Sequence, residues 1–295
     1  MPLRNLARPL ALLFGVGTLA SLWNWASQAW QGTTVRSAFK EPTTSRPYWL
    51  MVRSDHDPSR PTPVLFALHA YATAPDVLVR GYSLESLAVR DRGFVVVVPE
   101  GMRDQDGQYS WNASSACCGT GPARPDDLAY LDAVLTDVAR HYAIDDGHIM
   151  ALGVSNGGFM AHRWACQAGS KLSAIASISG MGPGPQDPPC AAGSHVAVLQ
   201  VHGDADEVIH YRGGHMRDAS YPSAQDSLAP FLRVSGAEAK PQVRTSRTLL
   251  YGRIRKQEWK AGQAPIALWT VEGGPHHLRA AQASVPEILD FLERL

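Results

Sequence analysis

Gly153-Val154-Ser155-Asn156-Gly157 limits this chain more than any other segment, because it stands between the apolar run Ile149 to Leu152 and the helical pattern Phe159 to Cys166. A serine bracketed by glycines where a strand gives way to a helix implies a sharp, strained turn with no room for neighbouring side chains. Gly153, Gly157 and the following Gly158 supply that room. Such a turn lifts the serine hydroxyl clear of the strand end. The backbone N–H of Asn156, at the start of the helix, then points where a tetrahedral oxyanion would form, with the helix dipole assisting. Ser155 is the candidate nucleophile and Asn156 a candidate oxyanion donor.

A hydroxyl of ordinary acidity attacks poorly, so Ser155 needs a histidine to take its proton and a carboxylate to hold that histidine's tautomer. With this kind of turn the acid and then the histidine follow the serine in the chain, each beyond a strand end. Two segments qualify. The apolar run Val196 to Val201 leads into His202-Gly203-Asp204-Ala205-Asp206, and Ile266 to Val271 leads into Gly273-Gly274-Pro275-His276-His277. Position alone leaves Asp204 and Asp206 open as the acid. His276 and His277 are likewise open as the base, although adjacent residues point apart and only one can reach the serine. A second oxyanion donor is expected from the turn after an early strand, Leu68-His69-Ala70-Tyr71, through the N–H of Tyr71 or Ala70. His69 itself reads as structural.

Short apolar runs recur at Tyr48 to Val52, Val64 to His69, Phe94 to Val98, His148 to Val154, Ala174 to Ile178, Val196 to His202 and Ile266 to Val271, which predicts strands. Asp127 to Tyr142 carries Leu128, Leu131, Leu135, Val138 and Tyr142 at helical spacing, with Asp126 or Asp127 available as a cap. Ser223 to Val234 and Ser284 to Leu295 also read as helices, while Gly236 to Gly262 is polar, basic and unassigned. Strands alternating with helices predict an α/β fold, a mostly parallel sheet with helices on both faces, formed by one domain over residues 48–295.

Ahead of that domain, Arg4 and Arg8 precede an uncharged, mostly apolar stretch from Leu10 to Trp23, closed by Ser27-Gln28-Ala29. This is the pattern of an export signal cut after Ala29, since the apolar stretch is shorter than the roughly 20 residues of a spanning helix. Trp23, Trp25 and Trp30 also suit a retained anchor at a membrane interface. The expectations are a signal peptide or uncleaved anchor at residues 1–29, a polar linker at residues 30–47, and a secreted or periplasmic location, with membrane association through the N-terminal segment as the alternative. The four cysteines, Cys117, Cys118, Cys166 and Cys190, form an even count behind an export signal, which favours two disulfides in any of three pairings. A zinc site is disfavoured, because Cys117 and Cys118 lack the usual two-residue spacer. Lys plus Arg, 27, equals Asp plus Glu, 27, so nothing recommends a nucleic acid as partner.

Trp111-Asn112 with Ala116-Cys117-Cys118-Gly119, Asp126-Asp127, and the run Gly153 to Ala161 together resemble the polyhydroxybutyrate depolymerase and feruloyl esterase family of secreted α/β-hydrolases, over roughly Tyr48 to the C-terminus. His202-Gly203-Asp204-Ala205-Asp206 is similar to the family's His-Gly-x-x-Asp segment, which implies Asp206 as the catalytic acid. Val271 to His276 is similar to its glycine-rich approach to the catalytic histidine, which implies His276. The resemblance puts the oxyanion donor at Tyr71, although Ala70 stands where the family has glycine. Pro275 and His277-Leu278 also depart from the family pattern. It further implies that the adjacent cysteines bridge to the nucleophile helix and to a later loop, at Cys166 and Cys190.

The function expected is hydrolysis of a small-molecule or polymeric carboxylic ester through an acyl-enzyme, with no metal and no organic cofactor. A polyhydroxybutyrate-type polyester comes first and a feruloyl ester is the alternative. A prolyl-oligopeptidase-like peptidase shares the triad order but normally brings a propeller domain that 295 residues cannot accommodate. A non-catalytic binding protein has no need of Ser155, Asp206 and His276 together. Trp111, in the loop before the cysteine pair, is a candidate wall of a substrate pocket.

Overall fold

Strands buried on both faces of a parallel sheet must be apolar throughout, whereas an edge strand need be so on only one face. The computed structural model, which describes residues 34–40, 46–122, 124–167, 171–191, 195–237, 240–249, 251–259 and 264–294, sorts the chain on this basis. Its strands are β1 (Thr34–Lys40), β2 (Pro47–Arg53), β3 (Thr62–Leu68), β4 (Val95–Pro99), β5 (Met102–Arg103), β6 (Tyr109–Ser110), β7 (Ile144–Val154), β8 (Ala174–Ile178), β9 (Ala197–Gly203), β10 (Gly214–Met216), β11 (Ala219–Tyr221), β12 (Gln242–Leu249), β13 (Gly252–Trp259) and β14 (Ile266–Val271). Ten of them form one sheet in the order β1-β2-β4-β3-β7-β8-β9-β14-β13-β12, while β5 with β6 and β10 with β11 form separate two-stranded ribbons. From β4 to β14 the strands run parallel. They carry the longest apolar runs, and in Val95–Pro99 and Ile266–Val271 every residue is buried, Thr270 included. β2 on one side and the β13–β12 pair on the other are antiparallel.

All seven expected strands are present, and the long helix is α2 (Asp127–His141), after the shorter α1 (Pro75–Gly81). Asp126 is the residue that caps α2, accepting from the Ala129 N–H at 3.0 Å, while Tyr130, Leu131, Val134 and Val138 bury one face. Asp127 is buried instead, with one carboxylate oxygen 2.6 Å from Arg46 and the other accepting from the Asn112 N–H at 2.6 Å. The helix after Ser155 is α3 (Asn156–Gln167), and α4 (Ala229–Ser235), α5 (Arg279–Ala283) and α6 (Val285–Leu292) follow. In α6, Val285, Ile288, Leu289, Phe291 and Leu292 are all buried.

The chain leaves β3 for β4 on one side and returns to β7 on the other, so the sheet's topological switch point lies between β3 and β7. A crevice beyond the strand ends is expected there.

Two stretches differ from the sequence expectations. Within the supposed linker, residues 34–40 form β1 beside β2, and β2 begins at Pro47. An edge strand needs only a free ladder to pair with, so a polar composition does not prevent it. The unassigned stretch after Gly236 holds the β12–β13 hairpin. In β13, Ile254 and Trp259 are buried while Arg255 to Glu258 stay half-exposed, and Lys256 lays its ammonium 3.7 Å over the Trp269 ring. The long charged side chains cover the sheet with their stems and keep their heads in water, which masks the strand in the sequence pattern.

The expectation of membrane association through the N-terminal segment is corrected: among the described residues no helix is long and apolar enough to cross a membrane. The segment itself, including the expected signal peptide at residues 1–29, lies outside the described residues.

Candidate active site

β7 ends at Val154 and α3 begins at Asn156, so Ser155 alone makes the turn, at φ +54°. A left-handed backbone at a residue with a Cβ costs about 1 to 2 kcal/mol. Its surroundings hold it there, the Ser155 N–H donating to Ile178 O at 2.8 Å and Ser155 O accepting from the Phe159 N–H at 3.0 Å. A Cβ on Gly157 would stand 2.0 Å from Leu68 O, so only glycine lets α3 begin against the end of β3.

The loops after β9 and β14 meet over this turn, and Gly203 is what allows it, since a Cβ there would lie 2.0 Å from Gly274 O. Asp204 ties the loops together by accepting from the Gly273 N–H at 2.6 Å, and its own N–H reaches Val271 O. That occupation turns Asp204 away from the serine and leaves Asp206, two residues on, facing it. His276 Nδ1 lies 2.8 Å from Asp206 Oδ2, and His276 Nε2 lies 3.0 Å from Ser155 Oγ. His277 is exposed. The structure therefore brings together Ser155, His276 and Asp206, each at most 8 % exposed.

Burial by itself would raise the Asp206 pKa. Hydrogen bonds from His202, His276 and the Ile209 N–H outweigh burial and hold the carboxyl below the usual carboxylate range. It is the acid of the three that stays ionised, as a partner for an imidazolium must.

The turn after β3 lies against the same elbow. Tyr71 anchors its hydroxyl on Asp104 Oδ2 at 2.9 Å, and its backbone N–H, like that of Asn156, donates to no acceptor among the described residues. Burial raises the Asp104 pKa. The N–H groups of Thr120 and Gln108 and the Tyr71 hydroxyl outweigh it and bring the pKa down to about 2, so this anchor is an ionised one. His69 is wholly buried and structural. Its Nε2 accepts from the Gly101 N–H at 2.9 Å, which leaves the proton on Nδ1 to donate to Ala70 O. Desolvation lowers its pKa to about 4, so it is neutral.

Trp111, expected as a pocket wall, acts as a prop for the neighbouring loop. It is fully buried, it donates its indole N–H to His69 O at 3.0 Å, and its ring lies 4.9 Å from the His69 ring. Its backbone exchanges two hydrogen bonds with the Asn156 side chain, which locks the loops on either side of the serine to each other. A cavity of about 180 Å³ runs along α3, lined by Phe159, Arg163, Cys166 and Gln167 of that helix and by Asn112 and Met181; none of Ser155, His276 and Asp206 lines it.

The cysteines pair as Cys117–Cys118 and Cys166–Cys190 rather than across the two groups. The Ala191 N–H donates to Cys166 O at 2.8 Å, which holds Cys190 at the end of α3 and leaves the adjacent pair to each other.

Residues that the motifs did not single out support the histidine. Ser179, at φ +52°, donates its hydroxyl to His276 O at 2.9 Å. Nothing in the sequence marks it.

The esterase acetyl xylan esterase from Aspergillus awamori superposes with a TM-score of 0.58, over 88 % of this chain and 99 % of that one, at 12 % identity. The fold is that of an α/β-hydrolase. Within this α/β-hydrolase, residues 129–230 match the phospholipase/carboxylesterase family model. The chain is similar to a probable feruloyl esterase C of Aspergillus niger, 27 % identical over 57 % of this chain, and spans 58 % of that protein's length. It is also similar to feruloyl esterase D of Neurospora crassa, 24 % identical over 84 % of this chain and 80 % of that protein.

Proposed function

We propose that this α/β-hydrolase is a serine carboxylesterase in which Ser155 attacks an ester carbonyl, His276 takes its proton, and Asp206 holds the tautomer of His276 and stabilises the imidazolium. The observation that carries the reading is the unbroken chain Ser155 Oγ, His276, Asp206 at 3.0 and 2.8 Å on a strained strand-to-helix turn. The unpaired N–H groups of Asn156 and Tyr71 serve as the oxyanion hole. The acyl-enzyme forms as the alkoxide leaves with the proton from His276. Water then repeats the steps in reverse to release the acid.

For the substrate, similarity to feruloyl esterases favours a hydroxycinnamoyl ester over the polyester ranked first from the sequence. Two disulfides support work in an oxidising compartment outside the cytoplasm.

The test is covalent labelling by a fluorophosphonate probe, followed by turnover of methyl ferulate and of a short hydroxybutyrate oligomer. Ser155→Ala is expected to abolish labelling and reduce turnover of either ester to background. Preference for the oligomer would reverse the substrate choice, and absence of labelling in the folded wild type would overturn the mechanism.

A further inference from the structure

The Asp206 carboxylate meets a second histidine. The oxygen that His276 Nδ1 approaches at 2.8 Å lies 3.1 Å from Nε2 of His202, and the His202 and Asp206 side chains are closed to solvent. Two histidines on one carboxylate pose a question of proton traffic, since either ring is a potential imidazolium.

The hydrogen bonds around His202 answer it. Gly180 O can only accept, so the amide nitrogen of Gln200 must face it, at 2.7 Å. The second proton of that nitrogen points at His202 Nδ1, 3.2 Å away, which makes Nδ1 an acceptor. The ring proton of His202 therefore sits on Nε2, shared between Ile209 O at 2.8 Å and Asp206. The Gln200 oxygen faces the other way and accepts from Nε2 of His162 on α3 at 2.8 Å. Desolvation lowers the His162 pKa to about 4, so that ring is neutral, and the amide orientation fixed by Gly180 O puts its proton on Nε2.

We infer that His202 is a positioning residue: it draws part of the Asp206 charge through Nε2–H, while Gln200 bars Nδ1 from a second proton, so His276 alone receives the proton of Ser155. A proton added to His202 Nδ1 would face the Gln200 N–H directly. The Ser155 proton thus moves from Oγ to His276 Nε2 as the oxygen lone pair closes on the carbonyl carbon. The proton on His276 Nδ1 stays in its bond to Asp206. This inference rests on the triad reading above.

The other groups around the pair come from several elements. Glu207 accepts from the His276 N–H at 3.4 Å, the His277 ring lies 5.5 Å from that of His276, and Asp204 holds Gly273. Tyr211 faces His202 at 6.0 Å with its hydroxyl on Thr270. A His277→Gln control separates the contribution of that neighbouring ring.

The experiment is the pH dependence of kcat/KM on methyl ferulate for wild type, His202→Leu and His202→Gln. Without the His202 donor, Asp206 bears on His276 alone and favours its imidazolium. The acidic limb of His202→Leu is then expected to move up by about half a pH unit or more. Its kcat should fall about tenfold while KM stays near that of the wild type. His202→Gln keeps an N–H donor and should move both values back toward wild type. A folded His202→Leu enzyme with the wild-type acidic limb overturns the inference.

Should that variant not fold, nitrogen NMR of isotope-labelled histidines in the wild type decides. At neutral pH His202 should carry its ring proton on Nε2, and a His202 whose proton sits on Nδ1 overturns the inference. Failure of the wild type to label with a fluorophosphonate probe is a separate result, which would overturn the triad reading itself.

Discussion

At Asp206 four donors converge on one buried carboxylate: His276 Nδ1, His202 Nε2 and the N–H groups of Val208 and Ile209. All four favour the ionised form against the burial that opposes it, and the balance leaves the pKa depressed. A carboxyl with a pKa lower in the folded than in the unfolded protein contributes stability above its unfolded value, about 3.9, and loses it as pH falls through the folded value. Asp206→Asn should therefore be less stable than wild type at neutral pH, with the gap narrowing as pH drops below about 4; urea midpoints at the two pH values measure it. The same variant should lose about four orders of magnitude in kcat, because an amide nitrogen facing His276 imposes the wrong tautomer. Asp204, two residues earlier, is spent on bridging two loops, a choice that position along the chain left open and that the family resemblance had favoured.

Elements rather than single residues explain how the proposed oxyanion donors, Tyr71 and Asn156, are held. The end of β3 and the loop before the cysteine pair are tied together by the Trp111 indole on His69 O and by the Asn156 side chain on the Trp111 backbone. Trp111→Phe removes the indole N–H and leaves a buried carbonyl unpaired, so a loss of about 1 to 3 kcal/mol in urea denaturation is expected. A drop in kcat larger than any change in KM should accompany it, because Tyr71 belongs to the loop that moves. At this scale the central strands were legible because burial on both faces demands unbroken apolar runs such as Val95 to Val98. β12 and β13 were not, since an outer antiparallel pair needs only occasional buried residues such as Ile254 and Trp259. β1 was missed because Thr34 to Lys40 holds no unbroken apolar run.

Over the whole molecule, the parallel sheet order gathers residues that are 121 and 70 positions apart into one hydrogen-bonded chain. The Cys166–Cys190 disulfide fastens the far end of α3 to the loop after β8 across 24 positions, while Cys117–Cys118 joins adjacent residues and closes no chain loop. Cys190→Ala is accordingly expected to cost roughly 3 kcal/mol in denaturant unfolding. The double variant Cys117→Ala, Cys118→Ala should cost clearly less; equal losses would mean that loop closure is not what these bonds contribute.

The sequence by itself determined the class of fold, the nucleophile turn and the two strand ends that deliver an acid and a histidine. Each of these rests on local rules: apolar runs of strand length, glycines where a Cβ has no room, and the fixed order of elements. Only the tertiary structure decided that Asp204 braces two loops, that Trp111 props a loop, how the cysteines pair, and that His202 and Gln200 stand behind the carboxylate. Those outcomes depend on which groups become neighbours across the sheet, where the direction of one amide, fixed by a single carbonyl, dictates which nitrogen of a distant ring carries the proton.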